Sequence, residues 1–95
     1  MESLPPAARL IEHESSFMNG SCYRDWLMER CGPGDDPKFF DALGALFWAY
    51  RDQPVENRRL ASKRVFHLCE ARYGHTRIGQ LQWEDAFSLL KDAGA

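Results

Sequence analysis

The segment "KFFDALGALFWAYRDQ", residues 38 to 53, constrains this chain more than any other. Phe39, Leu43, Leu46, Phe47 and Tyr50 recur at the 3.6-residue period of a helix, while Phe40, Gly44, Ala45 and Trp48 leave the other sides apolar or small. A helix without a polar face belongs in the interior, so the pattern predicts a central buried helix over residues 37 to 53 with other elements packed around it. Its start is signalled by "GPGDDP", residues 32 to 37, which reads as an interhelical loop. There Asp36 is placed to cap and Pro37 to occupy the first helical position. Pro54 lacks an amide donor and marks the other end.

The remaining segments supply the elements to surround it. "LPPAARLIEHESSFMNG" opens on a proline pair suited to a helix start and spaces Leu4, Ala8, Ile11 and Met18 at roughly helical intervals before Gly20, a faint N-terminal helix. Ser21 is suited to cap a second helix over residues 21 to 31, with Tyr23, Trp26 and Leu27 on one side and Gly32 after its end. A helix over 60 to 73 places Ala61, Val65, Phe66, Leu68 and Cys69 on one arc and Arg59, Lys63, Arg64 and His67 opposite, with Gly74 to terminate it. The last, over 81 to 92, turns Trp83, Ala86, Phe87 and Leu90 inward and Glu84, Asp85 and Lys91 outward. "HTRI" between these two is thin support for a strand or wing.

The expected fold is therefore all-α: a compact bundle of about five short helices forming a single domain over residues 1 to 95, whose second half also suits a helix-turn-helix arrangement. With 44% hydrophobic and 13% aromatic residues, the chain has enough apolar mass for one core, in which Trp48 and Trp83 are expected to sit. Cys22, Cys31 and Cys69 are odd in number and irregular in spacing, which fits reduced thiols in the cytoplasm better than a secreted disulfide framework. The N-terminal residues lack the basic start and apolar stretch of a signal peptide, and no window is long enough to span a bilayer, so no membrane partner is expected.

Charge is distributed unevenly. The whole chain carries a formal charge of −2, yet residues 57 to 77, "NRRLASKRVFHLCEARYGHTR", hold six bases and only Glu70 for a local +5. Residues 1 to 56 come to −5. Such segregation suggests opposite faces, with Arg58, Arg59, Lys63, Arg64, His67 and Arg77 as candidate contacts to a partner or nucleic acid, and Asp35, Asp36 and Asp41 as part of an acidic face. A solvated basic face is the commoner meaning of cations on the outside of a helix. Groove-reading helices also set Asn, Gln or Ser beside Arg, whereas here the outward positions are nearly all simple cations.

"YRDWLMERC", "ALFWAYRDQP" and "RLASKRVFHLCEARYGHTR" loosely resemble the winged-helix domains at the ends of phage and viral primase-helicases, in which an aromatic "AY" helix precedes an "LS..RF" helix. The resemblance covers residues 23 to 77, lacks that family's extended wing, and implies nucleic-acid binding by the basic helix.

Chemistry has little to build on. Metal binding would need Cys22, Cys31, Cys69, His67 and His75 to converge, and none of their spacings forms a C-x2-C knuckle, so no metal or other cofactor is expected. His67 lies two positions from Cys69 and thus on another helix face, which disfavours a nucleophilic dyad. The acid pairs Asp35/Asp36 and Glu84/Asp85 suit capping and the helix dipole, and the two Asp after the glycines would repel a phosphate. The sequence thus reads as a non-enzymatic binding module, an adaptor or a phage-type inhibitor of a host macromolecular complex. The alternative is a helix-turn-helix or winged-helix nucleic-acid binder using residues 58 to 77.

Overall fold

A computed structural model describes residues 3–20 and 36–95, and the backbone of the pair 23–24. The described chain is mostly helical, a small all-α bundle with one short strand pair. Helix α1 (Pro6–Leu10) starts where the proline pair predicts, with Pro5 at the cap and Pro6 in the first turn. It is far shorter than the expected helix over 4 to 20. The polar run Glu12–Glu14 adds no apolar stripe, and the backbone beyond it is committed elsewhere. After a 3-10 turn (Glu14–Ser16), Phe17 forms a parallel bridge with Phe40, and the Met18 amide donates to the Phe40 carbonyl at 2.9 Å.

Phe40 belongs to strand β2 (Phe39–Phe40), which pairs antiparallel with β1 (Tyr23–Arg24) in the register Tyr23↔Phe40 and Arg24↔Phe39. Two expectations fail here. The helix over 21 to 31 does not include Tyr23 and Arg24, and its other residues lie outside the described ones. The central helix does not start at Asp36 and Pro37, because residues 39 and 40 are extended.

Helix α2 (Ala42–Ala49) starts instead behind Asp41, whose carboxylate accepts from the Gly44 amide at 2.7 Å. That bond satisfies a third-position amide left without an intrahelical partner, which is what an N-cap does. The helix ends at Tyr50, short of Pro54. Its buried side consists of Ala42, Gly44, Ala45 and Leu46, so the small residues face inward and Phe47 is left half exposed, contrary to the expected arc. Small side chains let neighbouring backbones approach, and α1 opposes them with Ala7 and Ala8, both fully buried.

Helix α3 (Val55–Tyr73) begins directly after Pro54, five residues before the expected start. It terminates as expected at Gly74, whose φ of 74° is the left-handed conformation of a helix stop and whose amide bonds to the Glu70 carbonyl. Ala61, Val65 and Cys69 form its buried stripe at four-residue intervals. No strand forms at "HTRI": residues 75 to 77 are irregular, and a 3-10 turn (Ile78–Gln80) follows. It holds the N-terminal segment: the Gly20 amide donates to the Gly79 carbonyl, and Asn19 Nδ2 donates to the carbonyls of Gln80 and Leu81.

Helix α4 (Trp83–Asp92) buries Ala86, Leu89 and Leu90, with Glu84 and Asp85 in its first turn. Trp83 is half-buried and donates from Nε1 to the Ile11 carbonyl at 2.7 Å, joining α4 to the end of α1. Trp48, also half-buried, packs at the margin of the core. One apolar cluster draws on every helix and includes Ile11, Leu46, Val65, Ile78, Leu89 and Leu90. Among the described residues, no helix is long and apolar enough to cross a membrane.

Candidate functional site

Helix α3 carries most of the candidate residues, and its length explains what they are free to do. Nineteen residues at 1.5 Å each extend for about 28 Å, and the first six, Val55 to Leu60, form an exposed overhang. Every residue from 51 to 60 is exposed, including Val55 at 56% and Leu60 at 57%. The overhang is held by local features. Pro54 fixes the entry, Glu56 suits the positive end of the helix dipole, and Asn57 Nδ2 donates to Gln53 Oε1 at 3.2 Å. Apolar periodicity begins only at Ala61, which is why the sequence pattern located the start of α3 too late.

The cations along α3 divide into two groups. Arg64 reaches across to the end of α4, donating from Nε to the Ala93 carbonyl at 3.1 Å and from Nη2 to the Gly94 carbonyl at 3.5 Å. These are carbonyls a helix end leaves without intrahelical partners, so Arg64 acts as a C-terminal cap from a neighbouring helix. Arg72 pairs with Asp92, and its guanidinium also meets Ser88 Oγ at 3.4 Å. The hydrogen bond from Arg72 holds the Asp92 carboxyl below its ordinary range and raises the guanidinium in turn.

Arg58, Arg59, Lys63 and His67 are exposed, and their side chains make no ion pair or hydrogen bond with any described residue. Arg77, beyond the helix, is exposed as well; its backbone amide donates to His75 Nδ1 at 3.1 Å, closing the loop after Gly74. Of the six predicted contact residues, Arg64 alone has its side chain bonded to another described residue. Glu56 and Glu70 lie on the exposed side among the cations.

Of the residues expected on an acidic face, the fold removes Asp41. Asp41 is 2% exposed and caps α2, so it presents no charge to a partner. Asp36 is exposed and bonded to Lys38 at 2.6 Å, a surface pair worth little in water. Asp35 lies outside the described residues. The signal for Asp41 was present as "DALG", an acceptor three residues before a helical amide, but the proline at 37 offered a competing start.

The reactive groups are held apart. Cys69 is fully buried, and burial pushes its thiol up. His67 is on the exposed side of the same helix, and His75 stacks on Tyr73 at a centroid distance of 6.0 Å. Among the described residues no three His, Cys, Asp or Glu side chains are grouped to hold a metal ion.

A residue that the cation pattern overlooked completes the surface. Arg51, in the turn between α2 and α3, donates to the Trp48 carbonyl at 2.7 Å and lies 4.2 Å over the Trp48 ring. With Leu46, Phe47, Tyr50, Arg58 and Ser62 it lines a cleft of about 190 Å³ between α2 and α3. The chain matches no protein-family model, no curated protein and no solved structure, so the resemblance to winged-helix domains has no support beyond the residues that suggested it.

Proposed function

We propose that this protein is a small non-enzymatic binding module of the cytoplasm that docks a macromolecular partner through the outer side of α3. The observation that carries the reading is the state of Arg58, Arg59, Lys63 and His67: exposed side chains with no hydrogen bond or ion pair to any described residue, on and beside a helical overhang with little core to maintain. Arginine is well suited to such docking because its planar fork meets a carboxylate through two hydrogen bonds. The exposed Leu60 and Val55 add apolar area beside the charges. Adaptor and inhibitor roles, including a phage-type block of a host complex, both use such a surface.

Affinity capture from the native host with the wild-type protein, set against the double charge reversal Arg59→Glu with Lys63→Glu, tests this reading. Retention of a defined protein by wild type and its loss in the variant is expected. Equal capture by both removes α3 from the interface.

The same uncommitted cations favour one second reading, a nucleic-acid binder, in which Arg59, Lys63 and Arg77 neutralise phosphates. Glu56 and Glu70 on the same side weigh against it. Binding of this kind slows DNA migration, weakens steeply with added salt and collapses in the double reversal. No retardation at low salt excludes it.

A further inference from the structure

The cleft between α2 and α3 narrows the chemistry of the partner, and the inference rests on the docking role proposed for α3. We infer that the cleft receives one apolar side chain of an acidic peptide segment in a partner protein. Its apolar lining comes from Leu46, which is buried, and from Phe47 and Tyr50. Phe47 is 50% exposed, so part of its ring is open at the cleft. Two arginines flank this lining. Arg51 is held in place by its bond to the Trp48 carbonyl and by the ring beneath it. Arg58 stands on α3 at the cleft wall, its guanidinium making no hydrogen bond or ion pair with any described residue.

Size and charge together select the occupant. At about 190 Å³ the cleft falls below the range of roughly 300 to 1,000 Å³ typical of cofactor and small-molecule sites, and matches a single inserted side chain better. Arg58 and Arg59 lie three and four residues after Val55, and Ser62 four and three residues after them, so the cleft wall continues as a strip of apolar and basic groups along α3. None of these four residues is acidic, and one acid, Glu56, stands next to Val55 in the first turn of α3. Asp52, just before the helix, meets Arg51 Nε at 3.8 Å and is highly exposed. A segment bearing carboxylates on both sides of a leucine or phenylalanine complements this surface: the apolar group enters the cleft, and the carboxylates take up the guanidinium forks.

The test uses the full chain and fluorescent synthetic peptides read by anisotropy. One peptide carries a single leucine among aspartates and glutamates, a second replaces the leucine by serine, a third replaces the acids by lysine, and a single-stranded oligonucleotide is the fourth probe. The leucine peptide is expected to bind, the serine peptide about tenfold more weakly and the lysine peptide not at all. Arg58→Glu and the cleft-filling Ser62→Leu are each expected to reduce binding of the leucine peptide about tenfold. Unchanged circular dichroism and melting of Arg58→Glu separate this loss from unfolding.

Equal binding of the leucine and serine peptides, or failure of the leucine peptide to bind at millimolar concentration, overturns the inference. Tighter binding of the oligonucleotide, displaceable by neither acidic peptide, overturns it in favour of nucleic acid. Peptide binding lost in the Arg59→Glu, Lys63→Glu variant but indifferent to Arg58→Glu and Ser62→Leu overturns the cleft and leaves the docking role of α3 standing. Binding indifferent to all of these changes overturns both.

Discussion

Helix α3 contains two regions of similar composition with opposite duties. From Val55 to Leu60 every residue is exposed and the arginine side chains make no hydrogen bond or ion pair with any described residue; from Ala61 to Tyr73 a buried stripe holds the helix down, and Arg64 and Arg72 are bonded to α4. Both regions are helical, basic and dotted with aliphatic side chains. What separates them is whether a neighbouring element bonds and buries the side chains: α4 takes up Arg64 and Arg72, whereas Arg58 only borders the cleft against α2. Residue type on a helix surface therefore says little about availability: Arg64 caps a neighbouring helix, while Arg59, five positions earlier, has nothing to cap.

The comparison breaks most visibly with valine, which occurs once in each region. Val65→Ala, at a site with no exposure, is expected to lower stability by about 2 kcal/mol through lost burial and a residual cavity. Val55→Ala, at 56% exposure, is expected to change it by less than about 0.5 kcal/mol, since alanine is the better helix former. Denaturant titration of both variants checks the contrast, and equal losses would show that the overhang is packed after all.

A charge comparison gives the next effect in size. Arg64→Ala removes two bonds to carbonyls at the end of α4 and is expected to cost about 1 kcal/mol. Lys63→Ala, one residue earlier, is expected to leave the midpoint within about 0.3 kcal/mol while weakening partner binding. Amide exchange sharpens the same boundary without mutation. Amides near Leu60 are expected to exchange through local fraying, and those near Cys69 only through opening close to the global unfolding energy. Cys69 in turn should react with an alkylating reagent only as fast as that opening, its thiol being raised by burial.

The smallest effect is a pH dependence. The hydrogen bond from Arg72 lowers the Asp92 carboxyl in the folded state, so its stabilisation is present above the ordinary aspartate range and disappears as pH falls through the lowered value. Asp92→Asn should therefore melt slightly below wild type at neutral pH, with the gap closing in strong acid. A gap that widens in acid would contradict the sign.

Several features of this chain were legible as pattern. The proline pair before α1, Gly74 after α3 and the Ala61, Val65, Cys69 stripe each follow from local chemistry that no neighbour overrides. The errors share a cause. The helix expected over 4 to 20 stopped early because Phe17 and Met18 pair with the backbone of Phe40, residues more than 20 positions away. The central helix started at Ala42 because Phe39 and Phe40 were taken into a strand pair, and its small side was turned inward to meet α1. At the candidate surface, composition located the cations of α3, but Arg51 was missed because it is isolated in a turn.

The sequence by itself determined that this chain is helical, that its apolar mass supports one core and that its positive charge collects on one helix, because these depend on residue type and on spacing within a segment. Only the tertiary structure decided which charges remain available. It set Arg64 and Arg72 against the end of α4, buried Asp41 as a cap, and left Arg58 beside an open cleft. Each of these outcomes depends on what a side chain meets from another part of the chain, and no periodicity within one segment encodes it.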